Sequence, residues 1–247
     1  MKSRLILLVI LILLFTQGIA RPKNRATIKD EIWGESDGKV VKLFTLTNKN
    51  GMTLKVTNYG ATLTYLSAPD KNGVFENVVL GFDSLKQCVA DRGQHGKTIG
   101  RVANRIGGAQ FTLNGITYKL TANNGANSIH GGPNGFSKQV FDVDKFYANA
   151  DSAVVSLRYI SADMEEGFPG KLTLYLNYVL TKNNEVKLEY KAVTDKPTVV
   201  NFTNHTYFNL TGSGSSISDH RLKILADSIT PLGSDRLPTG SLVSVKG

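Results

Sequence analysis

The sequence predicts an all-β protein, built as a large antiparallel β-sandwich. Apolar residues alternate with polar ones at a spacing of two along most of the chain beyond residue 30. Short Asn-, Gly- and Lys-containing breaks separate these runs at hairpin intervals. After the first twenty residues no segment carries an apolar stripe at the helical spacing of 3.6. With 247 residues, 41% of them hydrophobic, the chain can bury one large β core, and wholesale disorder is excluded.

Taken in order, residues 1–20 read as a secretory leader. Lys2 and Arg4 precede the eleven apolar residues Leu5–Phe15, and Gly18 and Ala20 occupy the small-residue cleavage positions. An apolar run of that length is too short to span a bilayer comfortably. Residues 21–30 are polar and are expected to be flexible, and residues 31–247 form a single unit. Val40–Thr47, Met52–Asn58 and Ala61–Ala68 are β-branched or alternating runs. Phe111–Leu113 and Ile116–Leu120 flank Asn114-Gly115, the dipeptide that best supplies the positive φ angles of a tight hairpin. Leu172, Leu174, Leu176, Tyr178 and Leu180 share one strongly apolar strand face. Beyond Asn183-Asn184, Val186, Leu188, Tyr190 and Ala192 alternate with Lys187, Glu189 and Lys191, which gives an antiparallel partner with a wet outer face. Thr198–Leu210 and Arg221–Ala226 read as further strands. No internal repeat or dividing linker is found.

The composition narrows the function. The formal charge is +9, and loss of the leader takes Lys2 and Arg4 with it, leaving 27 cationic against 20 anionic side chains, or +7. That charge is spread out, with no basic block interleaved with aromatics, so nucleic acid is not an expected partner. The single Cys88 excludes an intrachain disulfide framework, and His95, His130, His205 and His220 show no metal-site spacing.

Three glycine-rich clusters concentrate reactive side chains. Gly100–Gly108 contains Asn104-Arg105, an amide beside a planar five-donor fork suited to ligand oxygens. The plainer account is an arginine pinning a loop. Asn127–Gly132 places His130 before two glycines, where backbone and ligand can approach closely. A merely solvated loop histidine fits that pattern equally. In Asn201–Leu210, read as a strand, Thr203, His205, Tyr207 and Asn209 share one face, and Phe202, Thr206, Phe208 and Leu210 share the other. So many polar side chains on one face suit a polar cleft, though a hydrogen-bonded core histidine is the bland alternative.

Together these clusters resemble the aldose 1-epimerase (galactose mutarotase) family. The agreement runs in order through Asn58–Ala61, Pro69–Gly73, Leu80–Asp83, the Asn-Arg segment, the His-Gly-Gly segment, Glu165–Gly170, Asn204–Leu210 and Leu237–Gly240. The leader is most similar to that of secreted plant-type members. The resemblance implies a galactose mutarotase-like sandwich that interconverts the α- and β-anomers of free aldohexoses such as glucose and galactose. A base takes the C1 hydroxyl proton, an acid protonates the ring oxygen, and the opened aldehyde turns and recloses. No cofactor or metal is implied, and the partner is a small sugar rather than a membrane. Residue by residue, His205 corresponds to the proton donor, and Asn104, Arg105, His130 and Tyr207 to the sugar-binding set.

Two departures matter. Members of the family continue into a segment with a sugar-binding aspartate and a general-base glutamate, and this sequence ends before either. The expectation is a C-terminally incomplete sandwich with impaired activity, or a non-catalytic carbohydrate-binding relative. A phosphosugar epimerase would need a further Arg/Lys cluster to grip phosphate. Second, Asp91–Lys97 is charged where relatives tend to be aromatic and apolar. Three N-x-Thr sequons, at Asn201, Asn204 and Asn209, fall within the third cluster, and Asn204 is expected to carry no glycan.

Overall fold

A computed structural model describes residues 25–212, 214 and 216–246. The leader expected at residues 1–20 lies outside the described residues. The first sheet is a meander of five antiparallel strands: β1 (Thr27–Ser36), β2 (Lys39–Thr47), β3 (Thr53–Thr57), β4 (Thr62–Pro69) and β5 (Phe75–Asn77). β1 corrects the expectation that residues 21–30 are flexible throughout, because strand structure already begins at Thr27. Its start looks polar since only Ala26 and Ile28 turn toward the core, while Thr27 and Asp30 pair through their backbones with Thr47 and Phe44 of β2.

A six-residue helix follows, α1 (Leu85–Ala90), capped by the Ser84 hydroxyl. It buries only Leu85 and Cys88, one turn apart, too short a stripe to stand out in the sequence. Short ladders come next: β6 (Thr98–Ile99), β7 (Arg105–Ile106), β8 (Gln110–Leu113), β9 (Ile116–Lys119) and β10 (Ser128–Ile129). β8 and β9 form the hairpin that Asn114-Gly115 foretold, with φ of 52° and 78° at the two turn residues.

The second sheet is a four-stranded antiparallel meander of β11 (Asp142–Ala148), β12 (Ser152–Ser161), β13 (Leu172–Thr181) and β14 (Val186–Thr194). It packs face to face on the first sheet, giving the expected sandwich. Phe44, Leu46, Leu54, Val56 and Leu63 from one side meet Val155, Leu157, Leu174 and Leu176 from the other, all nearly inaccessible to solvent. The strictly alternating burial of β13 follows from its period-two sequence. Tyr178, wholly buried in that row, satisfies its hydroxyl by donating to Ala61 O at 2.6 Å.

The expected strand across residues 198–210 is largely broken. Only β15 (Thr203–Asn204) forms, paired with β6, and single bridges join Asn201 to Val102 and Phe208 to Val79. The cause is local: the Asn204 Oδ1 accepts from the backbone N–H and the hydroxyl of Thr206, and the Asn209 Oδ1 does the same with Thr211. Such Asx turns compete with sheet pairing. The strand expected at residues 221–226 is not formed; Leu222, Ile224 and Leu225 are exposed. A short hairpin of β16 (Ser228–Ile229) and β17 (Val243–Ser244), which the sequence did not suggest, closes the described chain.

Candidate active site

Two minimal ladders bring the three clusters together. In the first, β7 pairs with β10, placing Arg105 opposite Ile129. Just past the paired residues Asn104 and His130 close on each other. His130 N–H donates to Asn104 O at 3.0 Å, and Asn104 N–H donates to the His130 Nδ1 at 3.1 Å. Both residues hold positive φ, 58° and 54°, a conformation uncommon for non-glycine residues and frequent at functional sites. Gly131 follows because a Cβ there would lie 1.9 Å from Gly100 O. Arg105 is aimed by its neighbours: Nη1 donates to the Asn104 Oδ1 and Nε to the Asn124 Oδ1, each at 2.9 Å.

In the second ladder β15 pairs with β6, and the pairing continues one residue further. His205 N–H donates to Lys97 O at 2.9 Å and Gly96 N–H to His205 O at 3.0 Å. The Asn204 side chain locks the register, donating to Gly96 O at 2.9 Å and to the Tyr178 hydroxyl at 3.1 Å. The His205 ring then meets the His130 ring edge-on, 5.1 Å between centroids and perpendicular, and the Tyr207 ring at 5.2 Å. All five residues singled out from the sequence, Asn104, Arg105, His130, His205 and Tyr207, thus form one contiguous polar cluster. The strand-face account of why fails, however. Asn209 is buried while Tyr207 is exposed, because the chain turns after Asn204 rather than alternating.

The two histidines differ in character. Burial first, then the nearby His205 and Arg105, pushes the His130 imidazole down to about 4. Its Nδ1 lone pair is already used as an acceptor for a backbone N–H, so the neutral ring carries its proton on Nε2. His205, by contrast, makes no side-chain hydrogen bond among the described residues.

The two glutamates of the Glu165–Gly170 segment are occupied. Glu165 accepts from the hydroxyls of Tyr159 at 2.8 Å and Ser161 at 2.9 Å, and Glu166 accepts from Asn134 N–H at 2.9 Å. Arg101, also in the first cluster, turns inward. Its buried guanidinium donates to the Ser161 hydroxyl and to the carbonyls of Ala162, Pro169 and Gly170, and so pins the loop.

The sequence missed one member of the neighbourhood. The His95 ring lies 4.6 Å from that of Tyr207. Its signal was the charged stretch Asp91–Lys97, set apart as an oddity rather than as a site. A cavity of about 820 Å³ has His95 and Asn209 among its walls but not Tyr207, His205, His130, Asn104 or Arg105. The imidazole pair does not line this cavity.

Comparisons with known proteins show the family. The family model described as aldose 1-epimerase matches residues 42–247. The chain is 38% identical over 212 residues to the aldose 1-epimerase of Escherichia coli, covering 85% of this chain and 60% of that protein. It is 41% identical over 197 residues to the galactose mutarotase of Bos taurus, covering 79% and 56%. Among solved structures, the galactose 1-epimerase of Lactobacillus acidophilus superposes with a TM-score of 0.81 at 33% identity, covering 90% of this chain and 64% of that one. The chain spans about 60% of the length of the curated relatives it matches.

Proposed function

Because the chain belongs to the aldose 1-epimerase family, we propose that it binds free aldohexoses and serves the opening and reclosing of their rings. The observation that carries this reading is the perpendicular His130–His205 pair, in which burial favours the neutral form of His130 and the His205 ring makes no hydrogen bond among the described residues. In the proposed mechanism His205 protonates the sugar ring oxygen as C1–O5 breaks, and recovers the proton on closure. His130 offers Nε2–H to a sugar oxygen. Arg105 and Asn104 hold hydroxyls through the fork and amide that their mutual hydrogen bond orients. Tyr207 supplies a ring face and a phenol.

The reaction also needs a base at the C1 hydroxyl, which the family resemblance assigns to a glutamate. Glu165 and Glu166 are engaged elsewhere, and no carboxylate among the described residues is in ring or hydrogen-bond contact with His205. The base is proposed to lie outside the described residues, so the chain alone is expected to bind sugar more readily than it turns it over. That engagement also favours the second reading, a non-catalytic carbohydrate binder. Polarimetry on freshly dissolved α-glucose, paired with titration of the imidazole resonances by galactose, separates the two. Sugar-dependent shifts at His130 and His205 are expected. Any rate above that of solvent should fall roughly 10²–10⁴-fold in His205→Asn. An unchanged rate would remove His205 from the mechanism.

Export is proposed on the order of charged start, short apolar run and small residues in 1–20. Secreted material beginning near Arg21 is the expected result of N-terminal sequencing.

A further inference from the structure

The fold treats the three N-x-Thr sequons of Asn201, Asn204 and Asn209 differently. At Asn204 both side-chain atoms are committed: Nδ2 donates to Gly96 O and to the Tyr178 hydroxyl, and Oδ1 accepts from Thr206. Asn209 is 5% exposed, and its Oδ1 accepts from the N–H of Thr211 at 3.1 Å and from its hydroxyl at 2.7 Å. In both, the sequon threonine turns its hydroxyl back on its own asparagine. Asn201 differs on each count. It is exposed, and its side-chain amide makes no hydrogen bond among the described residues. An added glycan is bulky and demands a surface position, which only Asn201 offers.

The backbone fixes that exposure. Asn201 N–H donates to Arg101 O at 2.9 Å, and Asn201 O accepts from Ala103 N–H at 2.8 Å, so the main chain is satisfied and held in place. The next residue, Phe202, packs against the core, its ring stacked on Phe136 at 6.0 Å and on Tyr190 at 6.1 Å. Successive side chains of extended backbone point to opposite sides, so the anchoring of Phe202 turns Asn201 outward. Thr203 lies on the same side as Asn201. Its hydroxyl makes only a long contact with Asn204 O, at 3.5 Å, and so remains available to the sequon.

We propose that Asn201 is a site of N-glycosylation, and that it alone of the three sequons is modified. The donor is an oligosaccharide carried on a lipid diphosphate. A bond forms between the Asn201 Nδ2 and C1 of the first sugar, the bond from C1 to the diphosphate oxygen breaks, and the lipid diphosphate leaves. The proton lost from Nδ2 passes to a base of the transferase. The proposal rests on the export reading, since such donors are met on the secretory route, and is independent of the epimerase reading. It puts a covalent, solubilising group on the outer side of the segment whose inner side carries Phe202, and on the bridge from Asn201 to Val102, just ahead of Asn104. The glycan adds hydration there without entering the core.

The test expresses the whole chain, residues 1–20 included, in a eukaryotic secretory host. The product is sequenced from its N-terminus and mapped by mass spectrometry before and after peptide N-glycosidase, which converts a glycosylated asparagine into aspartate. The expected result is a start near Arg21, conversion at residue 201, and none at 204 or 209. Asn201→Gln removes the acceptor, and Thr203→Val removes the sequon hydroxyl while leaving Asn201 in place. Each should abolish the modification and keep the unfolding midpoint of the enzymatically deglycosylated parent. An exported chain bare at residue 201, a glycan at Asn204 or Asn209, or a modification that survives Thr203→Val overturns the proposal. If a variant is not secreted, the map of the unsubstituted chain decides alone. A retained chain that begins at Met1 sinks the proposal together with the export reading.

Discussion

Arg101→Met tests the anchoring of the site most directly. The guanidinium is 1% exposed and donates to the carbonyls of Pro169, Ala162 and Gly170, each at 2.8 Å, and to the Ser161 Oγ at 2.8 Å. Its charge has no carboxylate within salt-bridge distance among the described residues, and it is met by carbonyl dipoles. Methionine would fill part of the volume but donate nothing. Ala162 O would keep a second partner in Glu165 N–H, and Ser161 Oγ would keep Glu165. Pro169 O and Gly170 O would be left without a donor among the described residues. Two buried acceptors stripped of their donors, at about 1–3 kcal/mol each, give a loss of about 2–6 kcal/mol. Relief of the buried charge works in the other direction, since burial already pulls the Arg101 pKa down. The carbonyls are fixed by the backbone, however, and cannot turn to water. Against the roughly 5–15 kcal/mol that holds a domain together, such a loss is severe. Urea unfolding of the two proteins at equal m-value measures it. A midpoint shift worth under about 1 kcal/mol would refute the reasoning and show that the carbonyls find water when the arginine is gone.

Other consequences follow from the same contacts. Asn204→Ala removes the bonds to Gly96 O and the Tyr178 hydroxyl and the turn to Thr206, and should cost about 1–3 kcal/mol in chemical unfolding. Because that side chain is engaged, glycopeptide mass spectrometry should find no glycan at Asn204 even after passage through a secretory host. Arg105→Lys keeps the charge but loses the fork that reaches both Asn104 and Asn124, so calorimetric sugar affinity should fall roughly tenfold with little change in the unfolding midpoint. His130 titrates near 4 when folded against 6.5 unfolded, so the unfolded state takes up the proton first as pH falls. Stability should decline between pH 6.5 and 4, by less than about 1.4 kcal/mol per pH unit since the ring is partly open to solvent. His130→Asn should flatten that decline in a pH series of melting curves.

The fold was legible where side chains alone decide it. β13 reads as a strand because every second residue, Leu172 to Leu180, must be buried, and nothing local competes. The hairpin at Asn114-Gly115 was legible because its turn demands positive φ at both residues. Residues 198–210 misled because their alternation was real but their asparagines close turns on Thr206 and Thr211, a choice invisible to a hydrophobicity pattern. β1 was not read as a strand for the opposite reason. Its first residues are held by backbone pairing to β2, which polar side chains do not advertise. The site residues were found because the resemblance named them. His95 was passed over because its place depends on a carboxylate and a glycine meeting across a loop.

The division of labour between the imidazoles has a similar origin in the backbone. Apart from the family resemblance, nothing in the sequence distinguishes His130 from His205 as a proton carrier, since each lies in a polar segment. The distinction comes from Asn104, whose N–H occupies the His130 Nδ1 and leaves that ring only Nε2–H to give. A proton added to His130 would have to break that bond, in a half-buried place, beside Arg105. His205 faces no such donor. Its backbone is tied on both sides to Gly96 and Lys97 while its ring makes no hydrogen bond among the described residues, so it can meet a ring oxygen without first surrendering a partner. In the proposed mechanism the acid is the imidazole that the backbone leaves unengaged. Asn104→Pro would remove the N–H but break the φ of 58° as well, so the cleaner probe is the 15N shift of the His130 Nδ1 in the intact chain. A protonated Nδ1 at pH 6 would reverse the assignment and make His130 the acid.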